Sequence, residues 1–118
     1  MNESYIDQMD HALRLAVENI RPDVHVTSRN MFGGRGWWAN GQMFAAWFGN
    51  ALALKLPPEA AEALLKLPGA AQAQARRYVE TPPEFLDDPV LLEPWVELSI
   101  HLAEQLAAAP SKRRSRRK

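Results

Sequence analysis

No cysteine occurs among the 118 residues. Disulfide staples, thiolate nucleophiles and cysteine-based metal sites are therefore excluded. Stability has to come from a packed core, and 47% apolar residues are enough for one at this length. A chain that folds without disulfides fits a reducing compartment, so a cytoplasmic location is expected. No apolar run approaches the roughly 20 residues that span a bilayer. The opening MNESYIDQMDHALRL carries acids early and no signal-peptide core. No membrane association is expected. Histidine is scarce, and His11, His25 and His101 fall in separate segments. None has a partner at metal-ligand spacing, so neither a metal nor another cofactor is expected.

Net charge is also lacking, with 14 basic and 14 acidic residues. The balance hides an asymmetry. Lys112, Arg113, Arg114, Arg116, Arg117 and Lys118 crowd the last seven positions. Without them the body is strongly acidic. One domain is expected over residues 1–109, followed by a disordered basic tail over 110–118, where like charges repel and nothing apolar is left to bury.

What is present reads as alternating blocks. Residues 3–20 place Ile6, Met9, Leu13, Ala16, Val17 and Ile20 at helical spacing. Pro22 ends that helix. VHVTSRNMF (24–32) starts as an alternating strand. GGRG turns the chain, WWAN is a short strand, and Asn40–Gly41 is a two-residue hairpin signal. QMFAAWF returns, GN turns again, and ALALKL puts Leu52, Leu54 and Leu56 on one face. The result is a meander of three or four antiparallel strands. PPEAAEALLKL opens a short helix with prolines in its first turn. PGAAQAQA reads as loop or weak strand, and RRYVET as a strand. A loop with room for one helical turn follows. Asp88 is expected to cap a helix starting at Pro89, with Leu92, Trp95, Ser99, Leu102 and Leu106 on its core face. Pro94 either kinks this helix or splits off its first turn. The order is α+β, with helices on an antiparallel sheet.

The glycines of RNMFGGRGWW do not make a phosphate loop. Such a loop needs a helix after it, so that amides and the helix dipole face the phosphate, and a P-loop needs a lysine followed by Ser or Thr. Here a strand and hairpin follow. The glycines instead serve a positive φ or a close backbone approach. Met31, Phe32, Met43 and Phe44 are expected in the core beneath the helices. Trp37 and Trp38 are adjacent, so they point to opposite faces of a regular strand, and one is exposed. The same holds for Trp47 and Phe48. An exposed indole beside Arg29 and Arg35 would form a stacking or partner surface. Alternatively, a second subunit covers the free sheet face as a homodimer. No nucleophile, base and orienting group stand together in a catalytic motif, so the chain is expected not to be an enzyme.

The segment SRNMFGGRGWWANGQMFAAWFGNALALKL resembles the N-terminal domain of the TfoX/Sxy family. The resemblance rests on Arg29, Met31 to Gly34, Gly36, Gly41, Met43 with Phe44, and Leu54 with Lys55, and downstream on YVETP and DPVLLEPWVELSIHLAEQ. It covers residues 5–108. It implies an α-β-β-β-α-β-β-α order, similar to the secretion-chaperone-like fold, with a strand in the weak 70–75 region. Two-domain members of the family regulate competence genes by assisting transcription. The helical second domain, with its helix-hairpin-helix-like features, is expected to have no counterpart in these 118 residues. The resemblance thus implies a regulatory or interaction module with a protein partner, its surface at Arg29, Arg35, Trp37 and Trp38. Two other readings remain open. One is weak nucleic-acid binding through Lys112, Arg113, Arg114, Arg116, Arg117 and Lys118, which would be salt-dependent and sequence-independent. The other is a small enzyme or ligand binder using the sheet groove.

Overall fold

A computed structural model describes residues 2–31 and 33–108. Helix α1 (Asn2–Ile20) leads into strands β1 (Val26–Met31), β2 (Gly34–Ala39), β3 (Gln42–Trp47) and β4 (Leu52–Lys55). Helix α2 (Pro58–Leu65), β5 (Ala71–Gln72), β6 (Tyr78–Glu80), α3 (Glu84–Asp87), a 3-10 turn (Pro89–Leu91) and α4 (Glu93–Ala107) follow. The six strands form one sheet in the order β1-β2-β3-β4-β6-β5, antiparallel at every pairing. The fold is α+β in the expected order. The meander has four strands, and the weak segment supplies the two-residue edge strand β5. No helix among the described residues is long and apolar enough to cross a membrane. The expected tail, 110–118, lies outside the described residues, as does Phe32.

The local signals act as their chemistry predicts. Met9, Ala12, Leu13, Ala16 and Val17 form the buried stripe of α1. Asn40 and Gly41 both take positive φ, 52° and 91°, the requirement of a type I′ hairpin turn whose twist matches the strands. Leu52, Leu54 and Leu56 all enter the core against Leu64 of α2 and Val96 and Ile100 of α4. Pro94 falls in the first turn of α4, and the segment before it is a separate 3-10 turn. Splitting, not kinking, is the outcome.

Several expectations need correction. The strand β2 begins at Gly34, so Gly34, Arg35 and Gly36 belong to the strand and not to the turn, and Gly33 just before it takes φ 78°. Asp88 precedes the 3-10 turn but makes no side-chain capping bond. The core face of α4 also takes in Val96, Ile100 and Ala103, while Leu106 is only half-buried, so the buried stripe lies about one residue round from the expected one.

Strand β3 carries a bulge. Trp37 pairs with Ala45 and Trp38 with Met43, which leaves Phe44 as an extra residue. Phe44 and Ala45 both reach the helix-side core, while Met43 and Ala46 belong to the opposite face. The carbonyl of Phe44 accepts a 2.6 Å hydrogen bond from the buried Ser99 hydroxyl of α4.

Candidate interaction surface

Pairing decides which face each side chain serves. Met31 pairs with Gly34, Asn30 with Arg35, Arg29 with Gly36 and Thr27 with Trp38. Cross-strand partners share a face and neighbours along a strand alternate. Arg29, Met31, Trp38 and Met43 therefore lie on the face away from the helices. Gly34 and Gly36 open a trough between them. A Cβ on Gly36 would sit 2.8 Å from two ring carbons of Trp38 and 2.9 Å from the sulfur of Met43. The missing side chain is what lets that indole lie down over the strand. The guanidinium carbon of Arg29 stands 4.4 Å from the Trp38 ring centroid, a cation–π stack. Arg29 is exposed and Trp38 half-buried.

The strip continues across the sheet. Ala46, Ala53, Ala73 and Tyr78 form a second apolar cluster, with Met31, Met43, Phe48 and Ala75 packed on it. None of these residues belongs to a helix. Phe48 meets Tyr78 edge to face at 5.7 Å, and the Lys55 ammonium lies 6.0 Å from the Tyr78 ring. Burial, and then the charge of Arg77, push the Lys55 pKa down. Burial pushes the Tyr78 phenol up to about 12, above its ordinary value of 10.0. The phenol is therefore neutral in the folded state where it would ionise in the unfolded one. Its contribution to stability is complete below pH 10 and is lost as pH rises towards 12. Thermal melts between those limits should show the midpoint of the wild type falling more steeply than that of Tyr78→Phe. Parallel curves would mean that the phenol is not shielded.

Charge is sorted between helices and strands. The helices are acidic, and Arg14 is the one Lys or Arg within them among the described residues. The strands carry Arg29, Arg35 and Lys55 against a single acid, Glu80, which is buried and accepts a 2.9 Å bond from Asn50.

Of the four residues expected on one surface, the structure brings two together. Arg29 and Trp38 stack on the open face. Trp37 is fully buried beneath α1, where its indole N–H donates to Asp10 Oδ1 at 3.0 Å. Arg35 shares the helix side and donates to Asn30 Oδ1 at 2.9 Å and to Ser28 Oγ at 3.1 Å. Phe44 is in the main core as expected, but Met31 and Met43 pack on the open face, and Phe32 is outside the described residues. Trp47 and Phe48 do divide between the faces, with Trp47 inward. Lys55 and Tyr78 were not singled out as surface residues. Their pairing, Lys55 with Tyr78, joins β4 to β6 across the intervening helix and leaves no local signal. Lys112, Arg113, Arg114, Arg116, Arg117 and Lys118 lie outside the described residues. No group of three or more His, Asp or Glu is placed to hold a metal ion among the described residues.

Fold and surface together define a small α+β domain whose sheet is covered by helices on one side and bears a basic, aromatic strip on the other. The chain belongs to the TfoX N-terminal domain family, whose model matches residues 18–103, from the end of α1 into α4 and across all six strands. No curated protein and no solved structure matches the chain.

Proposed function

We propose that this chain is a non-catalytic regulatory module that works by protein contact through the helix-free face of its sheet. The observation that carries this reading is the Arg29–Trp38 stack on a strip of Met31, Met43, Phe48 and Tyr78 that no helix residue joins. Aromatic and arginine side chains set in a partly apolar surface are the usual anchors of protein interfaces. Arg29 and Lys55 flank the strip, and its one acid, Glu80, is already engaged by Asn50. The partner that suits it presents an acidic and apolar segment, attracted by the cations and desolvated over the aromatic rings. The setting proposed for that contact is the regulation of transcription, competence included, and it rests on the family resemblance.

Affinity capture with the wild type, Arg29→Glu and Trp38→Ala tests the surface. A partner retained by the wild type should be lost at least tenfold with either variant and kept by Glu62→Lys on α2. A partner equally retained by all four would remove this face from consideration. Sedimentation of the free protein reads the competing occupant: a dimer broken by Trp38→Ala would mean that a second copy covers the strip. The basic tail supports a separate contribution to nucleic-acid binding. Deleting residues 111–118 should abolish any salt-sensitive DNA affinity, and unchanged affinity would dismiss that contribution.

A further inference from the structure

A groove of about 310 Å³ opens between the start of α2 and the turn that joins β5 to β6. Leu56, Pro58 and Ala61 give it an apolar wall, and Gln72, Arg76 and Arg77 a polar one. No acid lines it. Both arginines are exposed, and neither makes an ion pair among the described residues. The groove between α1 and β1 is different. Its Arg14 is already held by Asp10 and by the Val26 carbonyl, and Glu18 lines the same space. Lys55 registers the open charge of Arg77: burial first, and then Arg77, push its pKa down. The backbone is strained where it presents Arg77. Its φ is 73°, in the left-handed region that suits glycine and crowds the Cβ of other residues. Among the described residues the other non-glycine with positive φ is Asn40, in a hairpin turn that requires it. At Arg77 the neighbours hold the conformation. Its carbonyl accepts from the Leu56 amide at 2.9 Å, and the Gln72 side-chain amide donates to the carbonyls of Ala73 and Tyr78 at 3.1 and 3.0 Å.

Strained backbone that carries an unpaired charge into a groove is the pattern of a ligand-binding residue. A glycine at position 77 would relieve the backbone and lose only the side chain. We infer that this groove binds a phosphomonoester, with the phosphoryl group between Arg76 and Arg77 and a small apolar body against Leu56, Pro58 and Ala61. Guanidinium forks match phosphoryl oxygens in pairs. A phosphomonoester carries a charge of about −2 at neutral pH, which balances both arginines. A carboxylate would leave one positive charge over, and so would the diester of a nucleic-acid backbone. The volume lies at the lower end for small-molecule sites, about 300 Å³, so the body is no larger than a ring or two. The braced turn needs little reordering on binding, which spares affinity. The groove shares no residue with the Arg29–Trp38 strip, so the two readings stand or fall separately.

Backbone amide resonances test the inference, with phenyl phosphate, inorganic phosphate, benzoate and, for ionic strength, sodium chloride as probes. Phenyl phosphate should move the Ala61 and Gln72 amides in a saturable way. It should bind at least tenfold more tightly than inorganic phosphate, which lacks the apolar body, and than benzoate, which lacks the second charge. Arg76→Gln and Arg77→Gly should each weaken it at least tenfold, the loss expected for one charge-assisted bond. Arg77→Gly should also melt higher than the wild type, because the left-handed backbone is relieved. Lost binding together with raised stability is not what a structural arginine would give. No saturable movement with phenyl phosphate, equal movement with chloride, or affinity kept in both variants would overturn the site. Benzoate or inorganic phosphate bound as tightly as phenyl phosphate would overturn the choice of ligand. An Arg77→Gly midpoint below that of the wild type would mean that Arg77 serves the fold, and would overturn its role in binding.

Discussion

Replacing Gly34 by alanine is expected to cost at least ~3 kcal/mol, the upper end of what overpacking usually costs. A Cβ there would sit 2.0 Å from the carbonyl oxygen of Trp47 and 3.1 Å from its carbonyl carbon. Those are backbone atoms of the neighbouring strand, so no rotamer change relieves the clash. Strands β2 and β3 would have to part near their paired ends. Against a typical total of about 5–15 kcal/mol this is a large fraction. The melting temperature should drop by more than ~10 °C for a domain of this size. Two neighbours serve as controls. Gly33→Ala meets nothing within 4 Å and loses only the cost of φ 78°, about 1–2 kcal/mol. Gly36→Ala meets the Trp38 ring and the Met43 sulfur, which can swing away. Its main effect should fall on the Arg29–Trp38 stack, not on the fold. Melts followed by circular dichroism decide the matter. A Gly34→Ala midpoint within a degree or two of Gly33→Ala would show that the close approach of the strands does not exist.

The adjacent tryptophans give the second large contrast. Trp37→Ala should destabilise by ~3–5 kcal/mol, because it empties a fully buried site beneath α1 and deprives Asp10 of a donor. Trp38→Ala should cost no more than about 1–2 kcal/mol, since the side chain is half-buried and its cation–π stack is exposed. Partner contact should respond in the opposite sense, with Trp38→Ala losing the contact while staying folded. Urea titrations compared across the two variants test this, and equal losses of stability would mean that Trp38 is as much a core residue as Trp37. Removal of Trp38 is thus expected to leave the domain folded, and removal of Trp37 is not.

Much of the architecture was legible because local chemistry and tertiary structure agree. The stripe of α1, the Asn40–Gly41 turn and the Leu52, Leu54, Leu56 alternation each depend on residues within a few positions. The opposed faces of Trp37 and Trp38 follow from the pleat alone. The rest depends on facts a single segment does not contain. Arg29 and Arg35 look like neighbours in a list, yet whether they share a face is set by the length of the connection. With two positions between Met31 and Gly34, the partner of Arg29 is Gly36, and Arg35 falls on the other side. Met31 and Met43 were placed in the main core because large apolar residues usually are. The open face of this sheet is apolar too, and composition does not tell one face from the other. The Lys55–Tyr78 pair joins strands separated by a helix.

The extra residue in β3 bears on how α4 is placed along its own axis. The N-cap Leu92 and the buried face of α4, with Val96, Ile100 and Ala103, offer an apolar residue at nearly every turn. Such a repeating stripe packs almost as well after a slide of one turn, about 5.4 Å. A hydroxyl does not. Ser99 is 1% exposed, and the Phe44 carbonyl is its partner at 2.6 Å. Slid by a turn, it would bury an unmatched donor at about 1–3 kcal/mol. One inserted residue in a strand thus works as an index mark, fixing the lengthwise setting of the closing helix that apolar contact by itself leaves undecided.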